Sequence, residues 1–96
     1  RIWKMAAIAI GDTTIHYKQE GGVAVAYVVT PATADSADTV DLTTILQGRT
    51  ISDIAAWDTT SEDSVTATVS SDVVTLDAAG GTTNHVYVIK AALIQI

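Results

Sequence analysis

The sequence predicts an all-β fold: a single antiparallel β-sandwich of immunoglobulin-like or jelly-roll layout, with residues 1–96 forming one domain. Three observations support this prediction. The chain has 96 residues, which is the size of one domain with one modest core. Its apolar residues, 48% of the total, are mostly Ala, Val and Ile, and together with abundant Thr they favour strands over helices. Turn-forming residues recur about every ten residues, a spacing that is typical of sandwiches and small barrels.

These turn signals divide the chain into about eight strands. Gly21-Gly22 predicts a tight hairpin, and Ser71-Asp72 predicts a second short turn. Pro31 ends the strand before it, because proline has no N–H to donate to a ladder. The strands that we assign cover residues 2–10, 14–20, 23–30, 49–58, 64–70, 73–77 and 85–96, with loops over 32–39 and 78–84.

The segment at residues 41–47 differs from the others, since its apolar residues recur at helical rather than strand spacing. Asp41 can accept hydrogen bonds at the N-terminus of such a segment, and Gly48 can adopt the left-handed backbone that ends it. We therefore expect one short helix or turn here. The apolar residues on its shared face are Leu42, Ile45 and Leu46.

Composition and charge exclude several classes of function. The chain has no Cys, so it cannot form disulfides, a thiol nucleophile or a cysteine-based zinc site. Its net charge of −6 argues against nucleic acid and anionic membranes as partners. The apolar run at 5–10 is shorter than the roughly 7–15 residues of a signal-peptide core, and no run approaches the roughly 18 residues of a membrane-spanning helix.

Three segments are apolar on both faces of the predicted strand: 5–10, 23–29 and 85–96. One interpretation is that the second face consists mostly of small residues that a soluble monomer exposes. The other is that neighbouring chains cover it, since large apolar patches and unprotected terminal strands are typical of interfaces. On the second interpretation, the predicted interface residues are Ile2, Trp3, Leu93, Ile94 and Ile96.

The charged residues are unevenly distributed along the chain. Every acidic residue except Asp12 and Glu20 lies within 31–83, where Arg49 is the only base. This pattern predicts a solvent-facing region over 31–63 and an assembly-facing region formed by the two terminal segments. The alternative is that the acidic residues occupy loops and simply keep the surface soluble.

No catalytic site is predicted from the sequence. His16 and His85 lie in strand-like contexts, and no motif of nucleophilic, metal or phosphate chemistry accompanies them. They are predicted to be cross-strand surface residues, and we expect neither an enzyme nor a cofactor. Carboxylate pairs could serve glycoside hydrolysis, but the few aromatic residues give no reason to expect a sugar cleft. The pairs in question are Asp35/Asp38 and Glu62/Asp63.

Asp35, Asp38 and Asp41 place three carboxylates in or beside one predicted loop, and Ca²⁺ prefers oxygen ligands of this kind. The spacing does not match an EF-hand loop, and no glutamate follows at the position that such a loop requires. The alternative is that these residues cap the loop and the short helix. No metal ligand is therefore assigned.

Four segments carry a resemblance to a known class of proteins. Residues 30–42, 43–54, 64–70 and 74–84 resemble small, Ala/Thr/Val-rich, cysteine-free virion proteins of tailed bacteriophages and related viruses. The resemblance implies a non-enzymatic β-sandwich present in many copies on a particle, as a head-decoration, capsid or tail subunit. It implies no catalytic residues, and residues 1–4 lie outside it.

The sequence thus predicts a structural subunit of a virion that binds copies of itself or a major shell protein through its apolar terminal strands. The alternative is an extracellular immunoglobulin-like adhesion or glycan-binding module from a larger protein, which the start at Arg1 rather than at a methionine slightly favours. Light scattering separates the two, because oligomers favour the subunit and a stable monomer favours the module.

Overall fold

The computed structural model describes residues 7–32, 34–35, 38–77 and 85–95. Their fold is all-β, as predicted, and consists of one eight-stranded mixed sheet that curls into a half-barrel. The strands are β1 Ala7–Ile8, β2 Thr14–Glu20, β3 Val23–Val29, β4 Thr39–Asp41, β5 Arg49–Asp58, β6 Asp63–Ser70, β7 Val73–Asp77 and β8 Tyr87–Gln95.

The strand order is β1-β4-β7-β6-β5-β8-β3-β2. Neighbouring strands run antiparallel except β1 and β4, which pair in parallel. The sheet is therefore mixed, whereas the sequence predicts a fully antiparallel one. β6 joins the two halves of the sheet, because its first residues pair with β5 and its later residues with β7. The predicted two-layer sandwich is not confirmed, since all eight strands are hydrogen-bonded into one curled sheet.

β8 lies in the middle of the sheet, between β5 and β3. The prediction that terminal strands offer an edge to neighbouring subunits is wrong for β8, because both of its backbone edges are paired within the chain. β2 ends the strand order instead, so one side of its backbone has no ladder partner among the described residues.

Most strand bounds agree with the predictions. β2, β5 and β7 match, β3 ends at Val29 rather than at residue 30, and β6 begins at Asp63 rather than at residue 64. These strands are bounded by strong local turn signals. Within the described residues the predicted first strand is reduced to β1, and the predicted loop at 78–84 lies outside them.

The predicted short helix or turn near 41–47 is a 3₁₀ helix at Thr43–Ile45, which follows β4. Asp41 supports it as predicted: its Oδ1 accepts hydrogen bonds from the Thr43 N–H at 2.9 Å and from the Thr43 hydroxyl at 2.6 Å. A second 3₁₀ helix lies at Ile10–Asp12. No helix among the described residues is long and apolar enough to cross a membrane.

One core cluster contains residues from both halves of the sheet. Val28 of β3, Ile89 of β8 and Leu76 of β7 are fully buried there. The region 31–63 is not solvent-facing as a whole, which corrects the prediction from the charge pattern. It contributes buried apolar residues to the same cluster: Ala34, Val40, Leu42, Ile45, Leu46 and Ala56.

The segment between β4 and β5 is also tied to the edge strand. The Tyr17 hydroxyl of β2 donates a hydrogen bond to the carbonyl of Ile45 at 3.0 Å. The two residues are 28 positions apart in sequence. This bond holds β2 against the segment that completes the core on that side.

The β2–β3 hairpin turns at Gly21 and Gly22, with φ of +60° and +82°. Positive φ at both central residues is the type I′ arrangement, which glycine adopts without strain. Replacing Gly22 by Ala is therefore expected to lower the free energy of unfolding by about 1–2 kcal/mol in urea denaturation. Gly11→Ala is the matched control, because an added Cβ meets nothing within 4 Å at either position and the φ of Gly11 is not positive. Equal effects of the two substitutions would contradict a backbone cause.

Candidate functional site

β8 divides its side chains between two faces, as the sequence predicts. Leu93 is only 2% exposed, whereas Ile94 on the outer face is 45% exposed. The assignment of Leu93 to an interface is therefore corrected, because its side chain is already buried in the core of its own chain. Of the other predicted interface residues, Ile2, Trp3 and Ile96 lie outside the described residues.

Ile94 has an apolar neighbour on the outer face of the sheet. The register pairs Ala24 of β3 with Leu93, so Val23, which precedes Ala24, lies beside Ile94. Val23 is also exposed. We call Val23 and Ile94 the end patch, because they lie where β3 begins and β8 ends.

A cleft with a volume of about 270 Å³ opens beside the end patch. It adjoins a second cleft of about 330 Å³, and the two share Gln19, Ala24 and Arg49. We call the combined groove the Arg49 cleft. No carboxylate is among the described residues that line it. Its other lining residues are Gly22, Val23, Leu93 and Ile94 on one side and Tyr17, Lys18 and Gln47 on the other.

Arg49 brings an unpaired charge to this cleft. Its guanidinium makes no hydrogen bond or ion pair with the described residues. By contrast, Lys90 Nζ lies 3.2 Å from Glu20 Oε1, and Lys18 Nζ lies 5.6 Å from the centre of the Tyr27 ring. Because a guanidinium presents paired N–H groups, Arg49 can bind a carboxylate through two hydrogen bonds.

A polar network covers the middle of the outer face. The Tyr27 hydroxyl donates to Glu20, and this hydrogen bond, together with the one from Lys90, lowers the pKa of Glu20. The hydrogen bonds to Glu20 raise the pKa of both Tyr27 and Lys90. Val25, which pairs with Lys18 across β2 and β3, is buried although it lies outside the core cluster. The exposed apolar side chains of this face therefore lie at its two ends, with Val23 and Ile94 at one end and Trp57 at the other.

The opposite end of β5 holds a buried carboxylate on the core side of the sheet. Asp58, the last residue of β5, is 1% exposed, and its Oδ2 lies 2.6 Å from Nδ1 of His85. Its Oδ1 accepts hydrogen bonds from the N–H groups of Thr60 and Ser61 at 3.0 and 3.2 Å. Burial raises the pKa of Asp58, but the hydrogen bonds from His85 and Ser61 outweigh burial and hold the pKa below its ordinary value.

The residues that follow Asp58 form a turn that is anchored to the start of β8. Thr59 donates both its N–H and its hydroxyl to the carbonyl of Val86, at 2.8 and 3.0 Å. The Thr60 hydroxyl accepts from the Val86 N–H at 3.0 Å. Glu62 and Asp63 complete the turn with exposed carboxylates that have no side-chain partner among the described residues. We call residues 59–63 the acidic turn.

An aromatic residue is exposed beside the acidic turn. Trp57 of β5 is 39% exposed and pairs in register with Ser64 of β6 and Val88 of β8. Val88 and Ile94 alternate along β8 on the same face, so Trp57 and the end patch lie at opposite ends of one outer surface. An unpaired charge lies near each end: Arg49 in the cleft beside the end patch, on the same side of the sheet as Leu93, and Glu62 and Asp63 in the acidic turn beside Trp57.

The two histidines have different surroundings. His16 is exposed on β2, opposite Tyr27 on β3, as predicted for a cross-strand surface residue. His85 is half-buried against Asp58, so the same prediction is wrong for it. A hydrolytic triad adds a nucleophile to such a pair, and no described serine or threonine hydroxyl bonds to His85. The contacts that the pair does make anchor the acidic turn.

Of the three aspartates considered for calcium, Asp35 and Asp38 share one turn and Asp41 belongs to another. Asp38 is buried, and its Oδ2 accepts the N–H of Asp35 at 2.8 Å. Asp41 binds Thr43, and these hydrogen bonds lower its pKa. The described part of the chain contains no group of three or more His, Asp or Glu residues that could hold a metal ion.

Sequence reasoning misses two features of this surface. Arg49 stands out in the sequence as the lone base among many acidic residues, and this signal could have marked it as a candidate binding residue. The Asp58–His85 pair has no local signal, because it depends on the pairing of β5 with β8, which sets Asp58 opposite Tyr87.

Comparisons of this chain with known protein families, with characterised proteins and with solved structures find no significant match.

Proposed function

We propose that this chain is a non-enzymatic structural subunit that associates with copies of itself, in a viral particle or a similar multi-copy assembly. The observation that carries the proposal is the end patch: Ile94 is 45% exposed and lies beside exposed Val23 at the margin of a cleft. Exposed aliphatic pairs next to a concave surface are typical of contact regions between proteins.

The end patch alone does not hold an assembly together. Complete burial of one aliphatic side chain is worth about 1.5–3 kcal/mol, and both residues of the patch are already partly covered. Association costs at least about 4 kcal/mol in lost freedom of motion, so further contacts are needed. The Arg49 cleft and the edge strand β2 adjoin the patch and can supply them.

β2 is suited to pairing with a strand of a neighbouring subunit. Its seven residues, Thr14–Glu20, contain no proline and pair with β3 without a bulge. The free edge of such a strand presents a row of N–H and C=O groups that another strand can bind. Strand addition at β2 would extend the curled sheet from one copy to the next.

The two-layer sandwich is retained as part of this proposal. β1, β4, β7 and the later part of β6 would form one layer, and β5, β8, β3 and β2 the other. One core cluster contains residues from both groups, including Val40, Leu76 and Ile89, and this supports their packing face to face.

The placement in a virion, as a decoration, capsid or tail subunit that binds copies of itself or a major shell protein, follows from the resemblance described above. The end patch supports self-association of the chain, whereas the type of particle follows from the resemblance alone. An extracellular adhesion or glycan-binding module of immunoglobulin type would instead be a stable monomer, so the oligomeric state decides between the two.

We expect Ile94→Asp to dissociate the oligomers that the wild-type chain forms, because a carboxylate at the contact cannot be buried without a partner. Sedimentation velocity at up to about 100 µM protein measures this. Val69→Asp is the matched control, since Val69 is also an exposed apolar strand residue, at 39%, but lies on β6. A wild-type chain that stays monomeric overturns the proposal. Equal effects of the two substitutions would contradict the assignment of the end patch as the contact region.

A further inference from the structure

Arg49 and the acidic turn lie at opposite ends of one strand. β5 begins at Arg49 in the cleft and ends at Asp58, directly before the acidic turn. Ten residues of strand span roughly 30 Å at about 3.3 Å per residue. The longest dimension of the molecule is 43 Å. The cleft and the acidic turn of one chain are therefore too far apart to bind each other.

The Arg49 cleft has the chemistry of a carboxylate-binding site. It offers an unpaired guanidinium, the side-chain amides of Gln19 and Gln47, and the apolar end patch. No described acidic residue lines it, although the chain as a whole carries a net charge of −6. An acidic segment with an apolar group beside it matches these features.

The acidic turn has the chemistry of the matching ligand. Glu62 and Asp63 are exposed without a side-chain partner, and Trp57 is exposed next to them. The turn is already ordered, because Asp58, Thr59 and Thr60 fix its backbone. A preordered segment loses little conformational entropy on binding, which favours its use as a contact.

We propose that the acidic turn of one copy docks in the Arg49 cleft of the next, so that subunits join head to tail. Glu62 or Asp63 binds the guanidinium of Arg49, and Trp57 lies against the end patch. Because the two contact surfaces differ, each added copy leaves one cleft and one turn open, and the assembly grows into a ring or a filament. This inference rests on the proposed self-association and specifies its geometry.

Charge reversal tests the contact. Arg49→Glu alone and the double variant Glu62→Lys/Asp63→Lys alone are each expected to weaken self-association at least tenfold, measured by sedimentation velocity at low salt. Combining all three substitutions in one chain is expected to restore association, because the reversed cleft then meets a reversed turn. Asp53→Lys, on the exposed part of β5, is the control for net charge and is expected to change association far less.

Mixing two neutral variants, Arg49→Gln and Glu62→Gln/Asp63→Asn, distinguishes this geometry from a symmetric one. The Arg49→Gln chain keeps its acidic turn, the Glu62→Gln/Asp63→Asn chain keeps its cleft, and the two altered surfaces carry no charges that attract each other. An equimolar mixture is therefore expected to form 1:1 dimers that do not grow further. Circular dichroism confirms that each variant is folded, and Arg49→Gln replaces Arg49→Glu if the latter unfolds.

The outcomes separate this inference from the proposed function. If the wild-type chain does not associate, both fail. If Ile94→Asp dissociates the assembly but Arg49→Glu and Arg49→Gln do not, the head-to-tail contact is overturned and self-association stands. If the Arg49 variants dissociate it and the acidic-turn variant does not, the cleft binds another acidic segment and the proposed contact is overturned.

Discussion

Replacing Leu93 by alanine is expected to lower the free energy of unfolding by about 2–4 kcal/mol. Leu93 is 2% exposed and lies in the core cluster, so its truncation removes buried apolar surface and leaves a cavity. Because β8 is paired on both sides, the backbone cannot shift to fill that cavity without disturbing β3 and β5. Urea denaturation followed by tryptophan fluorescence measures the change.

Ile94→Ala is the matched control for this prediction. The two residues are adjacent on the same strand, but the side chain of Ile94 faces outward, so its truncation is expected to cost under about 1 kcal/mol in the dissociated monomer. For self-association we expect the opposite order, with Ile94→Ala weakening it more than Leu93→Ala. Equal losses of stability would contradict the assignment of Leu93 to the core.

Replacing Asp58 by alanine is expected to cost about 2–4 kcal/mol of stability, because His85 and two backbone N–H groups lose their acceptor in a buried place. Asp58→Asn keeps an oxygen for the N–H groups of Thr60 and Ser61 but removes the charge next to His85, so its cost is expected to be smaller. Asp53→Asn, at an exposed position on the same strand, is the control. A loss below about 0.5 kcal/mol for Asp58→Ala would contradict the anchoring role.

The same carboxylate makes stability depend on pH at the acid end. The pKa of Asp58 is lower in the folded chain than its ordinary value. Its contribution is therefore fully present above about pH 4 and is lost as the pH falls through the folded pKa. Comparison of wild type with Asp58→Asn in urea between neutral and acidic pH checks this, and the difference between them is expected to shrink at low pH.

Local turn signals in the sequence predict most of the secondary structure of this chain. Gly21-Gly22, Pro31 and Ser71-Asp72 bound strands that the structure reproduces to within a residue. Each signal acts through backbone geometry or a missing donor, which needs no knowledge of the rest of the fold. β4 escapes such reasoning, because its three residues become a strand only through their pairing with β7 and β1.

The candidate site depends on strand order, for which the sequence has no local signal. Leu93 and Ile94 are both apolar, and only the position of the core relative to β8 decides which one is exposed. Contact between Asp58 and His85 likewise requires the antiparallel pairing of β5 with β8. Composition predicts apolar surface at this end of the chain. Which of its side chains are exposed can be read only from the pairing of the strands.

The central position of β8 has a consequence for how the protein is made. β3 and β5 flank β8 but do not pair with each other, so the sheet has no middle until residues 87–95 leave the ribosome. Translation adds about 5–20 residues per second, so the earlier strands wait for seconds with apolar faces uncovered. We therefore expect the sheet to close only after residues 87–95 have been made, with β8 inserted last between β3 and β5.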